Sequence, residues 1–247
     1  MSLCRFAIRH AVVEALRGRT IVGDNVKNSD FEALDIASDG EVAADDQPFI
    51  LVYTDDSASE GAGMRTLWEN GTVEVVIEFG IAQAMSTHDD ETGETVLTGF
   101  AVPATDTGME AALDITDRQI AVALHGDGQW PNLFSRMHDG ITKIERKRAT
   151  LSEGGTRLAA RQVRIWVAGK SDPVWGAPLA TTSVWKQFEA AVAGSGVEAI
   201  TAALLGVQDA ELTLEHIRER FGLSDAAAPV LGIDAGNSET VTGIVWE

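Results

Sequence analysis

One cysteine, one tyrosine and a shortage of basic side chains set the first limits on this chain of 247 residues. A lone thiol, Cys4, cannot close an internal disulfide. It falls on the apolar stripe of an expected helix, which predicts a buried structural thiol rather than a reactive one. Lysine and arginine together number 19 against 38 aspartates and glutamates, a formal charge of −19 at pH 7. Such a surface repels DNA phosphates and anionic lipid, so sequence-specific nucleic-acid binding and a membrane partner are both disfavoured. No apolar run approaches the ~20 residues that a spanning helix needs, and no secretory leader pattern opens the sequence. The expectation is a chain that stays soluble in the cytoplasm where it is made. No Walker loop, HExxH, GxSxG or paired Cys-x-x-Cys occurs, and these are the short motifs that carry phosphate, zinc, acyl-transfer or thiol chemistry. His10, His125, His138 and His216 are scattered on separate elements, with no nucleophile spaced to suit them. No enzyme, cofactor or metal is expected.

With 45% hydrophobic and 23% charged residues, the composition is that of a folded domain with a real core. Its pattern is centred on Ile141 to Lys170, where two strand-like runs face each other across Ser152-Glu153-Gly154-Gly155-Thr156. Val163, Ile165 and Val167 alternate with Gln162, Arg164 and Trp166, the period of two of a strand that buries one side. The Gly-Gly connection predicts a long β-hairpin. From Ile141 to Ala168 there are seven basic residues (Lys143, Arg146, Lys147, Arg148, Arg157, Arg161 and Arg164) against Glu145 and Glu153. The segment therefore carries about +5 and the remainder about −24. Alternation puts Arg146 and Arg148 on one face of the first arm and Lys143, Glu145 and Lys147 on the other. Two readings stand: a solvated hairpin offset by acidic neighbours in its own chain, or a basic surface that meets the acidic surface of a partner.

Ser2 to Arg17 reads as a helix with Cys4, Ile8, Ala11, Val12, Ala15 and Leu16 inward, Ser2 as cap and Gly18 past its end. Phe6 and Val13 lie off that stripe. Either the helix is packed on two sides within one subunit or these two residues form a subunit contact. Thr20 to Val26 is expected to be extended and Asp35 to Gln47 an acidic loop. Pro48 to Thr54 reads as a strand covered on both faces, and Val73 to Ile81 as a long half-buried strand beside it. A helix is expected from Thr107, with Glu110 completing a capping box, and a shorter one from Trp130-Pro131.

His88-Asp89-Asp90-Glu91 has ligand chemistry, but adjacent residues on no rigid element predict a solvated loop rather than a metal site. After Lys170 the pattern changes at Ser171-Asp172-Pro173. Residues 1–170 are expected to form one unit and 171–247 a mostly helical extension. That extension has three helices, the last from Thr213 to Phe221, and a short strand pair, and it is too small for a secure core of its own. The fold class expected overall is α/β: a mixed, mainly antiparallel sheet with flanking helices and the hairpin.

Leu231-Gly232-Ile233-Asp234-Ala235-Gly236-Asn237-Ser238-Glu239-Thr240 resembles the first phosphate loop of the sugar kinase and actin superfamily. That loop opens a domain there, whereas here it stands close to Glu247, so an ordinary strand, turn and strand is the expectation.

The order of elements carries a second resemblance. An amphipathic helix from Leu3 to Leu16, the strand Gln47-Pro48-Phe49-Ile50-Leu51-Val52-Tyr53, a long second strand, two helices and the hairpin arms Ile144-Glu145-Arg146-Lys147 and Arg161-Gln162-Val163-Arg164-Ile165 resemble the tail terminator proteins of long-tailed bacteriophages. The resemblance implies an α/β subunit that forms a ring, generally a hexamer, at the head-proximal end of the tail tube. It implies a virion protein whose partners are further copies of itself, the tail tube protein and a head-closure or neck protein, with DNA passing through the lumen without specific binding. Family members are commonly shorter, so the resemblance leaves residues 171–247 without a role. Another neck component and a nucleotide-dependent enzyme using Asp234 and Gly236 are the competing readings.

Overall fold

Ser2 starts the first helix by accepting a hydrogen bond from Arg5 N at 3.1 Å, the N-cap geometry that satisfies an otherwise unpaired helical amide. In the computed structural model, which describes residues 2–29, 34–36, 42–44, 48–59, 69–82, 86–88, 95–97, 105–153 and 156–207, this helix is α1 (Leu3–Leu16). Three short strands follow, β1 (Val26–Asn28), β2 (Leu34–Ile36) and β3 (Val42–Ala44), then the long β4 (Phe49–Ala58) and β5 (Thr72–Ala82). After β6 (Ser86–His88) and β7 (Thr95–Leu97) come α2 (Asp106–His125) and α3 (Gln129–Arg136). The hairpin is β8 (His138–Glu153) and β9 (Thr156–Gly169), and α4 (Val184–Val192) and α5 (Glu198–Leu205) close the described chain.

Five strands form one sheet in the order β1-β4-β5-β9-β8. The β1–β4 pair is parallel and the other three are antiparallel, so the fold is α/β with a mixed, mainly antiparallel sheet. β4 lies between β1 and β5, and its apolar first half, Phe49, Ile50, Leu51 and Val52, is buried, as a strand covered on both faces requires. Register puts Ile50, Val52, Val75, Ile77, Phe79, Val163, Ile165 and Val167 on one face. α1 and α2 pack on that side, α3 packs on both of them, α4 packs on α3, and α5 packs on α4 and α1. No described helix is long and apolar enough to cross a membrane.

Several boundaries differ from the sequence expectation. Thr20 to Asp24 is a turn closed by Gly23 N to Thr20 O at 2.9 Å, and the extended piece is only β1. Within the expected acidic loop, β2 and β3 pair with each other. The cap of α2 is Thr105, which accepts from Gly108 N at 3.1 Å, because the chain enters the helix two residues before Thr107. The strand expected to be half-buried over Val73 to Ile81 buries Glu74 and Val76 as well. Residues 89–91, 154–155, the helix expected over 213–221 and the loop containing Asp234 and Gly236 lie outside the described residues.

The change of pattern after Lys170 marks a clasp rather than a free linker. Asp172 accepts hydrogen bonds from Leu3 N at 3.0 Å and Cys4 N at 2.9 Å, so both carboxylate oxygens serve the N-terminus of α1. A negative charge there opposes the positive end of the helix dipole. Asn70 Nδ2 holds the same carboxylate at 2.9 Å and the Lys170 carbonyl at 2.7 Å. Val184, Trp185, Phe188, Val192, Ile200 and Leu205 join the core built by α1 and the sheet.

Candidate functional site

Strand alternation decides where each basic residue of the hairpin goes. Arg146 and Arg148 on β8 and Arg161 on β9 share the helix-covered face, since Arg148 is paired with Arg161 and Arg146 with Val163. α2 lies over them with a stripe of carboxylates. Arg146 Nε is 2.8 Å from Asp117 Oδ2, Arg148 Nη2 is 2.5 Å from Glu110 Oε1, and Arg161 Nη1 is 2.7 Å from Asp114 Oδ1. Arg161 also lies 3.5 Å from Glu110 and 3.6 Å from Asp117, and it is the most enclosed of the three at 16% exposed.

The opposite face carries Lys143, Glu145, Lys147, Arg164 and Trp166 beside Glu74, Glu78 and Tyr53. Arg164 pairs with the buried Glu74 and lies 3.3 Å from Asp55. Lys143 is 2.6 Å from Glu145 and sits over the Trp166 ring at 4.4 Å, with the Arg164 guanidinium 5.5 Å from the same ring. Lys147 reaches Glu145 at 4.0 Å. The hydrogen bond from Lys143 holds the Glu145 carboxyl below its ordinary range. Tyr53 donates to Glu78 Oε1 at 2.5 Å, and Gln162 Nε2 donates to the same oxygen at 2.5 Å and to Tyr53 Oη at 3.3 Å. Burial, reinforced by the bond to Glu78, pushes the Tyr53 hydroxyl above its usual pKa. Arg157 is paired in the ladder with Ser152, and its side chain lies outside the described residues.

Lys143, Arg146, Lys147, Arg148, Arg161 and Arg164 therefore each meet a carboxylate of their own chain, which corrects the inference that their mutual repulsion requires a neighbouring subunit. Sequence reasoning missed Glu110, Asp114 and Asp117. Their spacing of four and three along a helix was the available signal, because it places all three on one stripe.

Phe6 and Val13 are corrected as well. They are 0% and 1% exposed in the single chain, so neither has surface to give a neighbour. Phe6 packs edge-on to Phe188 of α4 at 6.3 Å and stacks on His10 at 6.3 Å. The second covering of α1 is thus the extension, and the helix is packed on two sides within one subunit.

No family model and no curated protein matches the chain. What the outer sheet face and hairpin offer chemically is paired charge on a rigid sheet, suited to recognition. Among the described residues β8 pairs only with β9, which makes it a 16-residue edge strand with Ile141 and Ile144 exposed on it.

Proposed function

We propose that the chain is a ring-forming structural protein of a phage tail, a tail terminator that caps the head-proximal end of the tail tube, ends its polymerisation and joins it to the capsid neck. One observation carries the reading. The short strands aside, the elements follow one another as helix, apolar strand, long strand, two helices and a closing hairpin, with the strands of this series in one five-stranded sheet, in the order that the resemblance to tail terminators rests on. The hairpin ends the sheet in the long edge strand β8, and an edge of that kind is a natural place for subunits to meet. Lys143, Arg146, Lys147 and Arg148 are each about half exposed along it and remain the side chains proposed for contact with further copies or with the tube protein. The net charge of −19 suits a ring through which DNA moves without sticking.

The test is native mass with negative-stain imaging of the purified chain. A closed ring, expected to be a hexamer, that binds the ends of tail tubes supports the proposal. A monomer at all concentrations overturns it, and a ring that binds portal-bearing capsids instead of tube ends identifies another neck component.

A further inference from the structure

Where α3 ends and β8 begins, the chain passes a cleft of about 490 Å³ lined by Arg136, His138, Lys170, Ser183 and Trp185 among others. Three elements bring these groups together: α3 supplies Arg136, the end of β9 leads into Lys170, and Ser183 is the cap of α4.

His138 is the unexplained member. Both of its ring nitrogens are buried and have no hydrogen-bond partner among the described residues, a state that native proteins avoid because an unpaired buried polar atom loses its hydration for nothing. Its one close ring neighbour is Phe134, edge-on at 4.9 Å, which satisfies neither nitrogen. Burial holds its pKa below the ordinary value, against the pull of Asp139.

Arg136 adds a charge without a counter-charge. Among the described residues it meets only neutral oxygens, Gln187 Oε1 and the Thr182 carbonyl, and five donors on a guanidinium leave others to offer. Lys170 pairs with Asp139 at 2.5 Å, but that carboxylate is 69% exposed, so the ammonium can turn from it at little cost. Ser183 Oγ accepts from Trp185 N at 3.2 Å, which leaves its hydroxyl proton free to donate. The acidic groups near the cleft are Asp139 on Lys170 and Glu69, which takes the Ser171 hydroxyl at 2.7 Å.

We propose that this cleft binds a phosphate-type oxyanion, held by Arg136, Lys170 and Ser183, with the enclosed His138 ring turning to donate a ring N–H as the fourth. A tetrahedral anion presents acceptors in several directions, which matches donors arriving from three elements better than the two oxygens of a planar carboxylate. The cleft is also large enough for a small phosphorylated molecule rather than the anion alone. The inference stands apart from ring formation and concerns the single subunit.

The experiment follows the histidine ring nitrogens by ¹H–¹⁵N NMR while inorganic phosphate is added to the full chain at constant pH and ionic strength, with sodium acetate as the second arm. His10, enclosed by Phe6, Trp130 and Phe188 and absent from the cleft lining, serves as the internal control. A saturable shift of His138 with phosphate, weakened about tenfold in Lys170→Ala while the melting temperature is unchanged, supports the site. Because Arg136 also holds α4, Arg136→Lys is the second variant, and it is expected to keep the fold and weaken binding. A drift that never saturates, or that moves His10 equally, overturns the proposal. Acetate that saturates as tightly as phosphate overturns the assignment to phosphate.

Discussion

His10 sits where three elements meet, stacked on Phe6 of its own helix and edge-on to Trp130 of α3 at 5.3 Å and to Phe188 of α4 at 6.0 Å. Burial lowers its pKa from 6.5 to about 4, with a smaller push from Arg17 and Arg9. The folded state therefore binds fewer protons than the unfolded state between those values. Stability from the neutral ring is intact above the unfolded pKa and is lost as pH falls towards the folded one. The expected loss is about 2 kcal/mol between pH 7.5 and 5, above the range where most carboxylates titrate. His138, whose pKa is also depressed, acts in the same direction, so the contribution of His10 is isolated by replacing it. His10→Phe keeps an aromatic ring among Phe6, Trp130 and Phe188 and removes the titration. Urea unfolding midpoints at the two pH values are expected to lie closer together in this variant than in the parent chain. An unchanged gap would mean that the ring protonates without disturbing its cage.

At the scale of elements, the hairpin and α2 are joined by charge, and exposure decides how much each pair contributes. Arg161 is 16% exposed with Asp117 at 14%, whereas Arg148 is 60% exposed with Glu110 at 35%. Water screens the second pair, and exposed pairs are worth about 0–1 kcal/mol. A double-mutant cycle on Arg161 and Asp114 with Asp117, read by chemical denaturation, is expected to give a coupling of about 1–2 kcal/mol. The same cycle on Arg148 and Glu110 is expected to stay within about 0.5 kcal/mol. Equal couplings would show that the enclosed arginine gains nothing from its position. Reversal of Arg146, Arg148 and Arg161 to Glu would set three further carboxylates under the acidic stripe of α2, so loss of the fold is expected before any defect in assembly can be read.

The hairpin itself was legible in the sequence because period-two alternation and the Gly-Gly turn are local signals. The partner of its cations was not, because Asp117 and Arg146 are 29 residues apart and only the crossing of α2 over β8 unites them. Likewise α1 could be read from its stripe and its Ser2 cap, while Asp172, 169 residues from the amide of Leu3, looked like part of a linker. Phe6 and Val13 lie off the core stripe of a helical wheel, which shows one buried face and cannot show that α4 covers Phe6 on another. The His138 cleft gave no local sign at all, since its lining comes from three separated stretches.

On the scale of the whole molecule, the division at Lys170 is a change in sequence pattern across which the core continues. Phe188 is fully buried and meets both Phe6 and His10 of α1. Asp172 meanwhile completes the N-terminus of the same helix, so α1 is held from both sides by residues beyond 170. Two cores that share a helix cannot lose one part without exposing the apolar face of the other, and this is the physical origin of a single cooperative transition. Phe188→Ala is therefore expected to lower the stability of the full chain by about 3–5 kcal/mol, the range for truncating a buried aromatic. Unfolding should remain one transition, with its denaturant slope unchanged because the same surface is exposed. Far-ultraviolet circular dichroism and ¹⁹F NMR of the chain labelled with 5-fluorotryptophan offer independent probes: the Trp185 resonance reports α4 apart from those of the other five tryptophans, and most of the strand signal comes from the sheet. Coincident curves at a lower midpoint are the expected outcome. If the Trp185 signal moves to lower denaturant while the sheet signal stays where it was, residues 171–207 unfold on their own and the shared core does not couple them.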